Sequence, residues 1–165
     1  MKGKVYFIDT IHSILEERLR SFGFDCVDVT KEPVMLLPEL LKDATGIVIR
    51  SKITLSKEII SQIPDLQFIA RSGSGLENID VAYCKERNIP LFNSPEGNRN
   101  AVAEHAVGML LALMNKIPKA NQEIQAGIWN REDNRGEEIA GKTIGIIGFG
   151  NNGAAFANKW KGFDV

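Results

Sequence analysis

Cysteine is scarce in this sequence. Cys26 and Cys84 stand far apart and in no CxxC or Cys/His spacing, which excludes a disulfide scaffold and a zinc module. Long apolar runs are lacking too. The longest, around Met109–Met114, falls far short of the roughly 20 residues a membrane span needs. No one sign of charge prevails: Lys+Arg 20 against Asp+Glu 21 leaves a net charge of −1, so no global field recruits nucleic acid or an acidic membrane. Met1-Lys2-Gly3 runs straight into a strand pattern rather than a cationic and then apolar leader, so a cytoplasmic protein is expected. What is present is ordinary globular composition, 44% hydrophobic and 25% charged over 165 residues, enough chain to bury roughly 70% of its unfolded surface.

Short β-branched or aromatic runs recur through the first hundred residues: Val5–Ile8, Phe24–Val27, Gly46–Arg50, Leu66–Ala70 and Pro90–Phe92. Most are continuous rather than alternating, the pattern of strands covered on both faces. Helical segments lie between them. Ile11, Ile14, Leu15, Leu19 and Phe22 keep a helical period, with Glu16, Glu17, Arg18 and Arg20 opposite. Gly23 is placed to stop that helix, His12 to sit at its exposed start, and Pro38 to open another. Strands alternating with helices, with no Asn-Gly or Asp-Gly hairpin turn, predict an α/β fold with a parallel, doubly wound sheet.

After Asn93 the texture changes. Ser94–Asn98 reads as a loop and marks a boundary, and Asn100 is placed to cap a helix reaching about Asn115. That helix is apolar nearly all round, so it must be buried between layers or against another chain. A second helix is expected over Lys119–Gly127, then a polar loop, then a strand at Thr143–Ile147.

That strand feeds Gly148-Phe149-Gly150-Asn151-Asn152-Gly153, a G-x-G-x-x-G string followed by a helix from Ala154 to Trp160. Such an order suits a dinucleotide. Gly148 permits a tight turn, Gly150 lets a pyrophosphate approach the backbone, and Gly153 lets helix and strand pack closely. Unpaired N–H groups at the helix start would hold the anion. The acidic residue that reads the ribose is expected near position 168, past Val165.

Taken in order, Arg71–Asp80, Phe92–Pro95, Val102–His105, Gly127–Asn130 and Gly148–Gly153 resemble the D-2-hydroxyacid dehydrogenase family. Arg50-Ser51 and the setting of Trp129-Asn130 lean toward its phosphoglycerate branch, which acts in serine biosynthesis. The resemblance implies a flavodoxin-like substrate-binding domain over 1–97, followed by the opening, over 98–165, of a Rossmann NAD-binding domain. Chains of the family are about twice as long. Their catalytic arginine, glutamate and histidine match positions beyond Val165, so no catalytic residue is assigned here and this chain alone is expected to be inactive.

The implied ligands are NAD and a small anionic 2-hydroxy or 2-keto acid; no metal, nucleic acid or membrane is implied. Ser74 and Gly75 match the loop whose backbone binds the substrate carboxylate, and Arg50 matches an arginine on the substrate. Gly148, Gly150, Asn151, Asn152 and Gly153 match the pyrophosphate turn. Arg71 is a weaker substrate candidate. His105, beside Glu104, matches a non-catalytic position and is expected to be a hydrogen-bonded structural residue. Trp129 is expected in a domain or dimer contact. Helix 101–114 matches the two-fold interface, implying a homodimer. Two other readings stay open: a dehydrogenase for hydroxypyruvate, glyoxylate or D-lactate, and a non-catalytic binding domain on the same scaffold.

Overall fold

The computed structural model describes residues 2–165, and the chain divides into a first unit ending at Pro95 and a second, Glu96–Val165. In the first, five parallel strands, β1 (Lys4–Phe7), β2 (Asp25–Asp28), β3 (Ala44–Ile49), β4 (Phe68–Arg71) and β5 (Leu91–Phe92), pair in the order β2-β1-β3-β4-β5. Helices α1 (Ser13–Ser21), α2 (Leu37–Leu40), α3 (Lys57–Ser61) and α4 (Val81–Glu86) connect them. This is the flavodoxin-like strand order, and the runs read from the sequence supply all five strands, with ends shifted by a residue or two.

Continuous apolar strands are what two buried faces require. Alternate residues of β1 and β3 part company: Val5, Phe7 and Val48 pack with Cys26 against Leu15 and Leu19 of α1. Tyr6, Ile8, Ile47 and Ile49 join a larger cluster with Leu37, Leu41, Ile60, Ile63 and Cys84, from the helical side opposite. Every residue of β3 is buried, as befits the middle strand of five. His12 caps α1, its Nδ1 accepting the Ile14 N–H at 3.2 Å, and Pro38 lies in the first turn of α2.

The second unit holds α5 (Pro95–Met114), α6 (Ile117–Gln125), α7 (Asn151–Lys159) and a 3₁₀ turn at Trp160–Gly162. Ala103, Ile139, Ala155 and Trp160 are its buried apolar residues, and the Trp160 ring stands edge-on to Phe156 at 5.4 Å and to Phe163 at 5.0 Å. Among the described residues no helix is long and apolar enough to cross a membrane.

Three expectations need correction. Helix α5 begins at Pro95, not after Asn100, and absorbs the expected loop. Proline has no N–H to lose in a first helical turn, and Glu96 complements the positive helix end. Helix α7 likewise starts three residues early, at Asn151. Thr143–Ile147 forms no strand. A strand exists only through a ladder to a neighbour; no strand lies in the second unit among the described residues, and Ile147 is fully exposed.

At the amino-terminal edge of the sheet, Asp43 receives the Lys4 ammonium at 2.7 Å and the Tyr6 hydroxyl at 2.6 Å. These two donors hold the Asp43 carboxyl below its ordinary value; burial first, then Asp43, pushes the Tyr6 hydroxyl up. A depressed folded-state carboxyl stabilises the fold above the unfolded value of about 3.9 and loses that contribution as pH falls through the folded value. Thermal unfolding between pH 7 and pH 2.5 should therefore give Asp43→Asn a lower Tm at neutral pH and a shallower acid decline than the wild type. Parallel curves would assign the acid limb to other carboxylates.

Candidate functional site

Open parallel sheets take ligands at the carboxyl ends of their strands, and there the first unit gathers Arg50, which follows β3, and the loop Ser72–Asn78, which follows β4. Arg71 ties the two together. Its side chain is only 13% exposed, and its three nitrogens face in three directions. Nε donates to the Arg50 carbonyl at 3.1 Å, Nη1 to the Gly75 carbonyl at 2.8 Å and Nη2 to Glu77 Oε1 at 2.7 Å. Asn78 Nδ2 also donates to the Arg50 carbonyl, at 3.2 Å, and to that of Ile53 at 3.1 Å.

The carbonyls of the loop are thus turned inward. The Gly73 carbonyl accepts the Ser94 N–H at 2.8 Å, and that of Ser74 accepts Asn93 Nδ2 at 2.6 Å. No hydrogen bond among the described residues uses the N–H groups of Ser74, Gly75 or Leu76, or the side chain of exposed Arg50. Successive free N–H groups make an anion receptor, and a planar guanidinium suits a carboxylate or phosphate. The structure brings the predicted residues Arg50, Ser74 and Gly75 together and puts Arg71 behind them as their clamp.

The second candidate lies within the other unit. Gly148 adopts φ 91°, a left-handed turn that glycine enters at no steric cost. A Cβ on Gly153 would collide with the Gly148 carbonyl, whereas one on Gly150 would meet open space. Gly150 is the N-cap of α7, and its carbonyl accepts the Ala154 N–H at 2.9 Å. No hydrogen bond among the described residues uses the N–H groups of Asn151, Asn152 or Gly153, and both asparagines are exposed. A cavity of about 650 Å³ lies beside this turn, lined by Gly150, Asn151 and Ala154 with Arg99 and Lys159. Lys159 is paired with Glu104 at 2.7 Å. The turn therefore has the open face and unpaired donors that a pyrophosphate requires.

His105 is exposed and makes no side-chain hydrogen bond among the described residues, contrary to the structural role expected of it. Trp129 is 80% exposed on this chain. Sequence reasoning missed Asp9, Asn78 and Asn93. All three sit at strand ends or within the glycine loop, and that position was the available signal.

The model for the D-isomer specific 2-hydroxyacid dehydrogenase family, catalytic domain, matches residues 5–159. The chain belongs to this family. It is 36% identical over 164 residues to D-3-phosphoglycerate dehydrogenase of Methanocaldococcus jannaschii, covering 98% of this chain and 31% of that relative. Among solved structures, it is similar to NAD-dependent formate dehydrogenase from Staphylococcus aureus in complex with NAD, with TM-score 0.79 and 25% identity over 98% of this chain and 54% of the other. It is also similar to the NADPH-dependent glyoxylate/hydroxypyruvate reductase of Sinorhizobium meliloti, with TM-score 0.75 and 26% identity over 98% and 51%. The chain spans about a third of the length of the curated relatives it matches.

Two glycine substitutions should separate fold from ligand. Gly150→Val has room and should leave the urea midpoint unchanged while abolishing NAD binding in calorimetry. Gly153→Val should instead destabilise the second unit, since backbone must move. Tight NAD binding that survives Gly150→Val would contradict the role given to this turn.

Proposed function

We propose that the chain supplies the substrate-binding domain, residues 1–97, and the opening of the nucleotide-binding domain, residues 98–165, of an NAD-dependent D-2-hydroxyacid dehydrogenase of the phosphoglycerate type, an enzyme of serine biosynthesis. One observation carries the reading: Arg71 holds the backbones of Arg50 and Gly75 together, so a free guanidinium and three free N–H groups share one rim. Two receptors of different kind suit an acid with two anionic ends. The N–H groups of Ser74 and Gly75 take the carboxylate, and Arg50 takes the phosphoryl group. Its likeness to phosphoglycerate dehydrogenases supports this assignment.

Gly148, Gly150, Asn151, Asn152 and Gly153 would hold the pyrophosphate of NAD, which when bound accepts the hydride from C2 of the hydroxy acid. The hydroxyl proton needs an acid–base group, and neither histidine here offers one: His12 caps α1, and His105 lies in the middle of α5 with no orienting partner. Acid–base groups of this kind contribute roughly 10²–10⁴-fold. The 165-residue chain should therefore bind 3-phosphohydroxypyruvate, more weakly as Arg50→Ala, and show no NADH oxidation with any 2-keto acid. Turnover at the rate of a full-length relative would overturn the assignment of roles.

Helix α5 is the proposed two-fold contact. Met109 is 61% and Leu113 71% exposed; with Leu110, Ala112 and Pro118 they line an open apolar groove of about 680 Å³. Each large apolar side chain buried is worth about 1.5–3 kcal/mol, and an isologous pairing buries two copies at once. Sedimentation equilibrium at micromolar concentration should give a dimer, and Leu110→Arg a monomer, through an unpaired buried charge. A wild-type monomer would end this part of the proposal.

A further inference from the structure

In the order β2-β1-β3-β4-β5 the chain turns to opposite sides of the sheet after β1 and after β3, and the crevice between their carboxyl ends is where such sheets commonly take an anion. Here the crevice is filled from within. Asp9 follows β1, and its Oδ2 accepts the N–H of Arg50 at 2.6 Å, of Ser51 at 3.1 Å and of Lys52 at 3.3 Å. Three successive N–H groups form a nest for one negative charge, and the chain's own carboxylate occupies it. A ligand's anion is thereby turned away from this crevice, toward the neighbouring rim of β3 and β4.

The consequence falls on Arg50. Its N–H is fixed by Asp9, and its carbonyl by Arg71 Nε and Asn78 Nδ2. Both peptide groups of this one residue are bonded, while its guanidinium makes no bond among the described residues. Lys52, the other cation after β3, is committed elsewhere: its Nζ donates to the carbonyls of Thr30 at 2.6 Å and Glu32 at 2.9 Å, with that of Val29 at 3.5 Å. Of the two cations that follow β3, only Arg50 lacks a partner among the described residues, and Asp9 decides where its side chain begins.

We propose that Asp9 is a positioning residue for Arg50 and, through it, sets the preference of this site for a 2-oxo acid with a second anionic group over one with an apolar tail. The inference rests on the reading of the Arg50 rim as the substrate site. Asp9 touches no substrate. It acts by holding the backbone from which the guanidinium reaches, and a guanidinium displaced by about 1 Å loses the geometry on which bidentate recognition of an anion depends.

Calorimetric titration of this chain with 3-phosphohydroxypyruvate and with pyruvate, at one ionic strength, tests it. The wild type should prefer the phosphorylated acid. Asp9→Ala should lower that preference by about tenfold, the loss of one good hydrogen bond to a charged group, with pyruvate affinity changed less than about twofold. Asp9→Asn, which keeps one acceptor oxygen, should recover part of the preference. Arg50→Ala should abolish it, and adding Asp9→Ala should then cost nothing more, since one residue acts through the other. Should Asp9→Ala fail to fold, Asp9→Glu replaces it and should also lower the preference, because the carboxylate moves by a methylene. Equal losses on both acids, or additive losses in the double variant, would overturn the positioning role. A wild type that binds neither acid would overturn the substrate-site reading, and this inference with it.

Discussion

The guanidinium of Arg71 is the constraint on which the candidate substrate site depends. A glycine loop after a strand has many conformations and no reason to keep its N–H groups facing outward. Arg71 supplies the reason, because a rigid planar fork drawing on the carbonyls of Arg50 and Gly75 fixes both peptide planes at once. Turning a carbonyl inward turns an N–H outward. The positive charge behind the loop also favours an anion in front of it, although it touches none. Lysine could not substitute: one ammonium offers no fixed spread of donors to reach two carbonyls and a carboxylate together.

Around this clamp the sheet divides its labour by edge. The amino-terminal edge carries the Lys4–Asp43–Tyr6 cluster, whose groups satisfy one another. Among the described residues, the carboxyl-terminal edge carries donors without acceptors at Ser74–Leu76 and a cation without a partner at Arg50. In a parallel sheet the strands end together, so receptors from different strands converge without any long loop. The fully buried β3 gives Arg50 a rigid base, and short loops hold the rest.

Much of this was legible in the sequence. Continuous apolar runs identified the five strands, and their alternation with helices identified the parallel sheet, because two-sided burial removes the polar alternation that an antiparallel sheet would show. Arg50, Ser74 and Gly75 were named from position and resemblance, and the structure brings them to one rim. Arg71 was not read as a clamp, since sequence cannot say which way an arginine turns at a strand end. Asp9 escaped for a related reason: its partners lie about forty positions away, joined only by the pairing of β1 with β3. Thr143–Ile147 fooled the pattern in the other direction. Its β-propensity is real, but propensity alone makes no ladder.

That unladdered stretch also has a meaning for local opening. Amides protected by a buried parallel ladder exchange with solvent only through cooperative unfolding, whereas unpaired extended backbone exchanges with little protection. Residues 143–147 should thus belong to the fast-exchanging end of the molecule while β1, β3 and β4 define the slow end. The same exposed backbone fits the extended cleft of a protease. The glycine turn that follows, Gly148–Gly153, passes from this unpaired stretch into α7, with Gly153 packed close against the Gly148 carbonyl and Ile146.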